Sequence, residues 1–291
     1  MGLAMAHNVL RAGFPLTVWN RTSARCAPLV EDGATLADTP ADLAAANVVV
    51  TMVADADAAR AVLVDSSLLA RLAPGTVVLE MSTIGPTAAV ELADSAREHG
   101  VDLLDAPVSG SVTVAESAQL FAMVGGEASA YERATPVLNA MTKGHVLLGG
   151  SGAGAAMKLA LNSMIAVTDV SLAETLALAE RFGIDRGQAY DVIAGGALAS
   201  PFVQYKRPAF LHPETTPVAF TTALMRKDVV LAEELASRLE TEIETASAAG
   251  RVLDRAIDAG LADEDMASVI RLFASHNGAE PPQSPPDTRE G

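Results

Sequence analysis

The feature that most constrains this chain is a glycine-rich stretch that opens its longest uninterrupted helical segment. A strand-like run at residues 145–148 leads through Gly-Ser-Gly-Ala-Gly into residues 153–181, which contain no proline. A strand followed by glycines and a long helix is typical of an α/β protein. Lys158 and Asn162 lie four residues apart and share one helix face among Ala, Met and Leu. Because burying an unpaired ammonium is costly, the pair indicates either a functional site or a lysine that reaches solvent.

The same stretch matches a dinucleotide-binding fingerprint but lacks its context. Gly150, Gly152 and Ala155 fit G-x-G-x-x-A between a strand and a helix, and Glu174 lies near the spacing of a ribose-binding acid. That acid should end a second strand, whereas here the helical pattern continues through Glu174. We therefore expect these glycines to bring the start of the helix close to another element, and not to bind a dinucleotide.

Charge and composition disfavour several classes of partner. The 291 residues carry a formal net charge of −16, which argues against nucleic acid or an anionic membrane as the partner. The single cysteine, Cys26, excludes an internal disulfide and a cysteine-based metal cluster, so we expect a cytoplasmic protein without a bound metal. Apolar runs are shorter than the roughly 18 residues expected of a membrane span, and residues 1–11 do not resemble a signal peptide.

Strand-like and helix-like segments alternate over the first half of the chain. Strands are predicted at residues 16–19, 47–53, 76–82, 101–104, 120–124 and 145–148, with helices notably at 86–98 and 129–141. After Gly154 only helices are predicted, at residues 185–194, 217–248, 250–259 and 266–274. The pattern predicts a mostly parallel sheet in a domain at 1–149, joined by the long helix to an all-helical domain at 150–277. The polar, proline-rich tail at 278–291 is predicted to be disordered.

Three predicted strands end in polar residues, at the edge where open α/β sheets bind ligands. Residues 20–22 read Asn-Arg-Thr, and an arginine at such a strand end suits a 2′-phosphate. Residues 82–86 place two hydroxyls before a helix. Residues 105–111 read Asp-Ala-Pro-Val-Ser-Gly-Ser, whose hydroxyls and N–H groups can hold a carboxylate. Helix capping is the alternative at the first two, by Thr22 or Ser23 in the first, and an ordinary loop is the alternative at the third.

Taken in order, these segments resemble the β-hydroxyacid dehydrogenase family, which includes 3-hydroxyisobutyrate dehydrogenase, tartronate semialdehyde reductase and the glyoxylate/succinic semialdehyde reductases. Residues 1–8 resemble the end of its glycine-rich loop and its first helix, and residues 105–110 its DAPVSG motif. Residues 152–162 resemble its G-x-G-x-x-x-K-x-x-x-N motif, and 226–228 its K-D segment. The resemblance covers nearly all of residues 1–275. It implies a Rossmann-like NAD(P)-binding domain followed by an all-α domain.

The resemblance also implies a reaction and a set of site residues. The reaction is NAD(P)-dependent interconversion of a small β-hydroxy acid and its semialdehyde or oxo acid, with Lys158 as acid/base and Asn162 orienting the substrate or the lysine. The implied substrate contacts are Ser109, Gly110, Ser111 and Lys227. The implied cofactor contacts are Met1, Gly2, Asn20, Arg21, Thr22, Met52, Val53, Thr83 and Lys227. Arg21 in place of an acid favours NADP, with NAD possible, and the family suggests a homodimer or homotetramer formed through the helical domain.

Two departures from the family pattern affect these expectations. Ser111 stands where the family usually has a second glycine, which bears on substrate choice. The family's first strand and the first two glycines of its loop would precede Met1, so we expect that the sequence as written starts at an internal methionine, binds cofactor weakly and is marginally stable. The alternatives are an imine reductase-like enzyme, which Lys158 disfavours, and a non-catalytic member that serves as a binding or scaffold protein.

Overall fold

The structure, a computed structural model, describes residues 1–274. These residues belong to two compact units, Met1–Leu161 and a second unit that begins at Asn162. The tail predicted at 278–291 lies outside the described residues.

The first unit is built on two β-sheets. Its strands are β1 (Thr17–Val18), β2 (Thr35–Leu36), β3 (Val48–Thr51), β4 (Val77–Glu80), β5 (Asp102–Asp105), β6 (Val108–Ser109), β7 (Leu120–Gly125) and β8 (Thr142–Gly149). β1 and β2 form a two-stranded parallel sheet, and the others form a six-stranded sheet in the order β3-β4-β5-β7-β6, with β8 paired to β7. β7 runs antiparallel to β5 and β6, whereas the remaining pairs are parallel. This confirms the prediction of a mostly parallel sheet.

Helices cover both faces of the larger sheet. They are α1 (Gly2–Arg11), α2 (Ala27–Glu31), α3 (Ala56–Arg60), α4 (Leu68–Arg71), α5 (Pro86–Arg97), α6 (Val112–Glu116) and α7 (Ala128–Met141). Successive side chains of β4 point to opposite faces of the sheet. Val77 and Leu79 pack in the apolar cluster that contains residues of α1 and α7, whereas Val78 packs in the apolar cluster that contains residues of α5. Burial on both faces explains why the strands read as continuous apolar runs and not as alternating ones.

The second unit is helical. Its helices are α8 (Ala153–Phe182), which begins in the first unit, α9 (Arg186–Gly195), α10 (Pro201–Leu211), α11 (Thr222–Arg238), α12 (Glu244–Asp258) and α13 (Ile270–Ala274). α8 is long and apolar enough to cross a membrane by length and composition alone. However, Ala166, Ala173 and Leu176 on α8 are completely buried in the helical core. We therefore interpret α8 as the central core helix of this unit.

The prediction of a single helix at residues 217–248 is wrong. α11 ends at Arg238, α12 begins at Glu244, and the intervening Glu240 has a left-handed backbone with φ of 52°. Left-handed backbone ends a helix and is usually marked by glycine or asparagine, so a glutamate there leaves no signal in the sequence. α10, which contains Pro208 in its interior, was not predicted either.

Two glycines allow α8 to approach the sheet closely. A methyl group at Gly154 would lie 2.6 Å from the carbonyl oxygen of Asp105 in β5 and closer still to that of Met123 in β7. A methyl group at Gly125 would lie 2.7 Å from a carboxylate oxygen of Asp105. Of the two glycines from which close packing was expected, Gly152 meets the expectation, because a methyl group there would lie 3.2 Å from the side chain of Val90, whereas one at Gly150 would meet no atom within 4 Å.

A matched pair of substitutions tests this packing. Gly154→Ala forces a methyl group into the backbone of two strands, so we expect it to lower the free energy of unfolding by about 2–3 kcal/mol or more. Gly150→Ala is the control, since a methyl group there meets no atom within 4 Å. Urea unfolding of both variants measures the difference. Equal stability of the two variants would contradict the packing described here.

Candidate active site

The loop that follows β5 and the start of α8 are joined by one side chain. The carboxylate of Asp105, the last residue of β5, accepts the N–H of Gly152 at 2.7 Å and the N–H of Ala155 at 2.7 Å. Asp105 is only 1% exposed. Burial raises the pKa of its carboxyl, and the N–H donors oppose that shift. The first turn of α8 is therefore capped from a distant strand.

The three predicted substrate contacts of the first unit lie together on this loop. Ser109 is half-buried and belongs to β6, where it pairs with Phe121 of β7. Gly110 has φ of 139°, and a methyl group there would lie 2.8 Å from side-chain atoms of Leu120 and of Val114. Position 110 therefore requires glycine, because both its backbone and its surroundings exclude a side chain.

The hydroxyl of Ser111 has a structural role. Ser111 precedes α6, and its Oγ accepts the N–H of Val114 at 3.3 Å, which is a helix N-cap. This explains how serine is accommodated where the family usually has glycine. Its predicted contact with the substrate stays a prediction.

Lys158 lies in the second turn of α8, three residues beyond the capped Ala155, and its side chain is half-buried. The structure thus places Lys158 on the helix whose first turn is tied to the Asp105–Ser111 loop. Neither the lysine in its helix nor the loop with its proline and glycine predicts, by itself, the hydrogen bonds that join the two through Asp105.

In the second unit, Asn162 and Lys227 both contact Asp228. The Nδ2 group of the buried Asn162 donates to Oδ2 of Asp228, and the Nζ of Lys227 lies 3.1 Å from Oδ1 of the same carboxylate. Asp228 is completely buried, whereas Lys227 is partly exposed. The sequence prediction named the K-D segment but assigned no site role to Asp228. The sequence indicated the contacts of Asp228 only in that this acid directly follows the predicted site residue Lys227.

The carboxyl ends of β3 and β4 are linked by a second buried acid. Glu80 accepts the N–H of Ser82 at 2.8 Å and the hydroxyl of Thr51, and Ser82 Oγ in turn accepts the N–H of Val53 at 2.8 Å. Burial raises the pKa of the Glu80 carboxyl. The predicted cofactor contacts Met52, Val53 and Thr83 flank this network. Ser82 therefore joins two strand ends and does not cap α5, whose N-cap residue is Gly85.

The remaining predicted cofactor contacts lie at two other places in the first unit. Met1 and Met52 belong to the same apolar cluster, and a methyl group on Gly2 would lie 3.5 Å from Met52. Residues 20–22, which follow β1, are all exposed. Asn20 forms the turn by accepting the N–H of Thr22 at 2.9 Å, and the Thr22 side chain makes no capping hydrogen bond. The structure therefore does not support capping by Thr22 and leaves the side chain of Arg21 exposed.

Within residues 1–274, no group of three or more His, Cys, Asp and Glu side chains is arranged to hold a metal ion. The candidate site of the first unit consists instead of one half-buried lysine, a loop of hydroxyl and N–H groups, and the carboxyl ends of parallel strands. Such a site can bind an anionic substrate and donate a proton, and open α/β sheets bind dinucleotides at that edge.

Comparison with known proteins identifies the family. The NAD binding domain of 6-phosphogluconate dehydrogenase matches residues 1–150, and the NAD-binding domain of NADP-dependent 3-hydroxyisobutyrate dehydrogenase matches residues 152–273. The chain is 33% identical over 282 residues to glyoxylate/succinic semialdehyde reductase 2, chloroplastic, of Arabidopsis thaliana, covering 96% of this chain and 78% of that protein. It is 34% identical over 286 residues to the NAD-dependent L-serine dehydrogenase of Pseudomonas aeruginosa, covering 96% of each.

A solved structure agrees with these relatives. The crystal structure of 3-hydroxyisobutyrate dehydrogenase from Salmonella typhimurium superposes with a TM-score of 0.87 and 29% identity, over 94% of this chain and 96% of that one. This similarity extends over both the sheet-containing and the helical parts of the chain. The resemblance that the motifs suggested is thereby confirmed, and the chain belongs to the β-hydroxyacid dehydrogenase family of NAD(P)-dependent oxidoreductases.

Proposed function

We propose that this protein reduces a small semialdehyde or oxo acid, or oxidises the corresponding β-hydroxy acid, with Lys158 as the proton donor or acceptor. The observation that carries the proposal is the position of Lys158 on α8, directly after the first turn. Asp105 caps that turn and also begins the loop that contains Ser109 and Gly110. Residues 1–149 would bind the dinucleotide, and residues 150–277 would form the helical domain. The relatives named above support a small hydroxy acid or aldehyde as substrate.

The chemistry assigned to the chain is proton transfer and orientation. The nicotinamide cofactor supplies the hydride that adds to the carbonyl carbon. The carbonyl oxygen then gains negative charge, and the Lys158 ammonium gives it a proton, which forms the hydroxyl group. In the reverse direction the neutral amine of Lys158 would take the hydroxyl proton while the hydride passes from the carbon to the oxidised nicotinamide. The Ser109 hydroxyl and nearby N–H groups hold the substrate carboxylate, and Asn162, held by Asp228, orients the substrate or the lysine.

A lysine variant tests this assignment. We expect Lys158→Ala to lower kcat about 100-fold or more, because the general acid is lost, while NADPH binding and thermal stability stay near wild type. Lys158→Arg should be similarly impaired, since a guanidinium keeps the charge but does not release its proton. Lys143→Ala, at an exposed lysine of β8, is the matched control.

The assay follows NADPH oxidation with glyoxylate, succinic semialdehyde, tartronate semialdehyde and methylmalonate semialdehyde. Near-normal turnover by Lys158→Ala would refute the role of the lysine. Activity only toward imines would favour the imine reductase-like alternative, whose solved examples include an enzyme from Myxococcus stipitatus at 25% identity and a TM-score of 0.64. Binding of NADPH without turnover of any carbonyl or imine would favour a non-catalytic role.

We further propose that NADP is the preferred cofactor. The exposed Arg21 follows β1, where a guanidinium can pair with a 2′-phosphate in two parallel hydrogen bonds. We expect Arg21→Ala to raise the KM for NADPH about 10-fold, as loss of one charge-assisted contact implies, and to leave the KM for NADH unchanged. Arg71→Ala, at an exposed arginine of α4, is the control. Equal effects of Arg21→Ala on both cofactors would contradict the preference.

The helical unit carries an exposed apolar stripe that supports self-association. Met164, Leu178 and Phe182 on α8 are 68%, 74% and 74% exposed, and their spacing places them along one side of the helix. We propose that a second copy of the chain covers this stripe. Light scattering should then show a dimer or tetramer, and Met164→Glu combined with Leu178→Glu should yield monomers. Leu239→Glu, at a residue that is 66% exposed beyond α11, should not change the mass. A monomeric wild-type protein would exclude the proposal.

We propose a cytoplasmic location for the protein, because its one cysteine, Cys26, is a buried free thiol and so needs no oxidising compartment. Fractionation of cells that express the protein would test this, and enrichment in a membrane or secreted fraction would contradict it.

A further inference from the structure

The start of α8 has no capping side chain of its own. In a capping box, the N-cap side chain accepts the N–H of the third helical residue, and the side chain of that residue accepts the N–H of the N-cap residue. The short helical turn Pro40–Leu43 in this chain is built in that way by Thr39 and Asp42. At α8 the corresponding positions are Gly152 and Ala155, which have no polar side chain. The two N–H groups that a capping box satisfies would otherwise be buried without acceptors.

One carboxylate replaces both halves of the capping box. Asp105 accepts the Gly152 N–H with one oxygen and the Ala155 N–H with the other, each at 2.7 Å. The contact is enclosed, because Asp105 is 1% exposed and Gly125 leaves no room for a methyl group beside its carboxylate. Its negative charge also faces the positive end of a helix dipole. The position of the first turn of α8 is thus set by β5 and not by its own sequence.

Asp105 is linked to both parts of the proposed site in the first unit, to the loop through the chain and to the start of α8 through hydrogen bonds. Ser109 and Gly110 follow it four and five residues later, and Lys158 follows the capped Ala155 by three residues. We propose that Asp105 is a positioning residue that holds the Lys158 ammonium in register with the Ser109–Gly110 loop. This inference rests on the proposed function, because register matters only if Lys158 and the loop act on the same substrate.

The expected effect follows from helix geometry. Each residue of an α-helix advances about 1.5 Å and turns the chain through about 100°, so the position of the first turn sets the position of a side chain one turn later. Proton transfer requires a donor within about 2.6–3.2 Å of its acceptor. Loss of the cap should therefore lower kcat more than it raises KM, since the loop that binds the carboxylate remains paired to β7 through Ser109.

The test compares Asp105→Asn, Asp105→Ala and the control Asp185→Asn. Asparagine keeps one acceptor oxygen and alanine keeps none, so the two variants should form a graded series. Asp185 is exposed and caps α9 by accepting the N–H of Gln188 at 3.0 Å, so Asp185→Asn makes the same chemical change at an aspartate cap outside the proposed site. We expect Asp105→Asn to lower kcat at least about 10-fold with KM changed less than about 3-fold, and Asp105→Ala to lower kcat further. Asp185→Asn should leave kcat unchanged.

A readout that does not depend on turnover accompanies the kinetics. Hydrogen exchange resolved to single residues should show faster exchange of the Gly152 and Ala155 amides in Asp105→Asn, with α11 unchanged. Faster exchange together with the selective loss of kcat supports the positioning role. Faster exchange with kcat equal to that of Asp185→Asn would show that the cap serves stability alone and would overturn it, as would unchanged exchange.

Two further outcomes also decide the question. If wild-type protein turns over none of the four aldehydes, the proposed function fails, and the exchange data alone then show whether Asp105 holds α8. If neither Asp105 variant folds, wild-type protein supplies the answer. Exchange of its Gly152 amide as slow as that of core amides supports the tie, and exchange as fast as at the exposed start of α9 overturns it.

Discussion

The pairing of one buried carboxylate with the first turn of α8 is the interaction on which the rest of the first unit depends. Asp105 ends β5, begins the loop that contains Ser109 and Gly110, and supplies the acceptors that α8 lacks. Glycine at 125 and 154 is a consequence of this contact, because any side chain there would push the helix away from the sheet. The D of the DAPVSG motif and the G-x-G before the lysine are therefore two sides of a single contact.

A second buried acid, at the carboxyl end of β4, binds the neighbouring strand β3 in a similar way. Glu80 is an acid in an otherwise apolar strand, and its two oxygens bind Thr51 and the backbone of Ser82. Ser82 Oγ accepts the N–H of Val53, so the network holds the ends of β3 and β4 together and includes one of the residues proposed to contact the cofactor. Buried polar groups of this kind are costly unless satisfied, and once satisfied they fix a single arrangement. In the helical unit, Asp228 has a comparable role toward Asn162 and Lys227.

Much of the fold could be predicted from the sequence, because its signals are local. Continuous apolar strands, the long proline-free helix and the motif spacing all depend on near neighbours, and together they led to the family. Contacts between distant residues were not predictable in this way. Nothing around Gly152 indicates that its N–H binds residue 105, and nothing near Glu80 indicates Thr51 as its partner. The end of α11 at a left-handed Glu240 had no marker either. The roles of Lys158, Asn162 and Arg21 stay predictions, since they concern the binding and conversion of substrate and cofactor.

The most direct test of the central claim, that this protein moves a hydride between a nicotinamide and a small carbonyl acid, is an isotope-transfer measurement. Protein is incubated with glyoxylate and NADPH that carries deuterium at the transferable C4 position, and the product is examined by mass spectrometry. The proposed reaction predicts a hydroxy acid with one deuterium bound to its carbinol carbon, formed in step with NADPH oxidation. Oxidation of NADPH that leaves glyoxylate unchanged, or a product without carbon-bound deuterium, would contradict it.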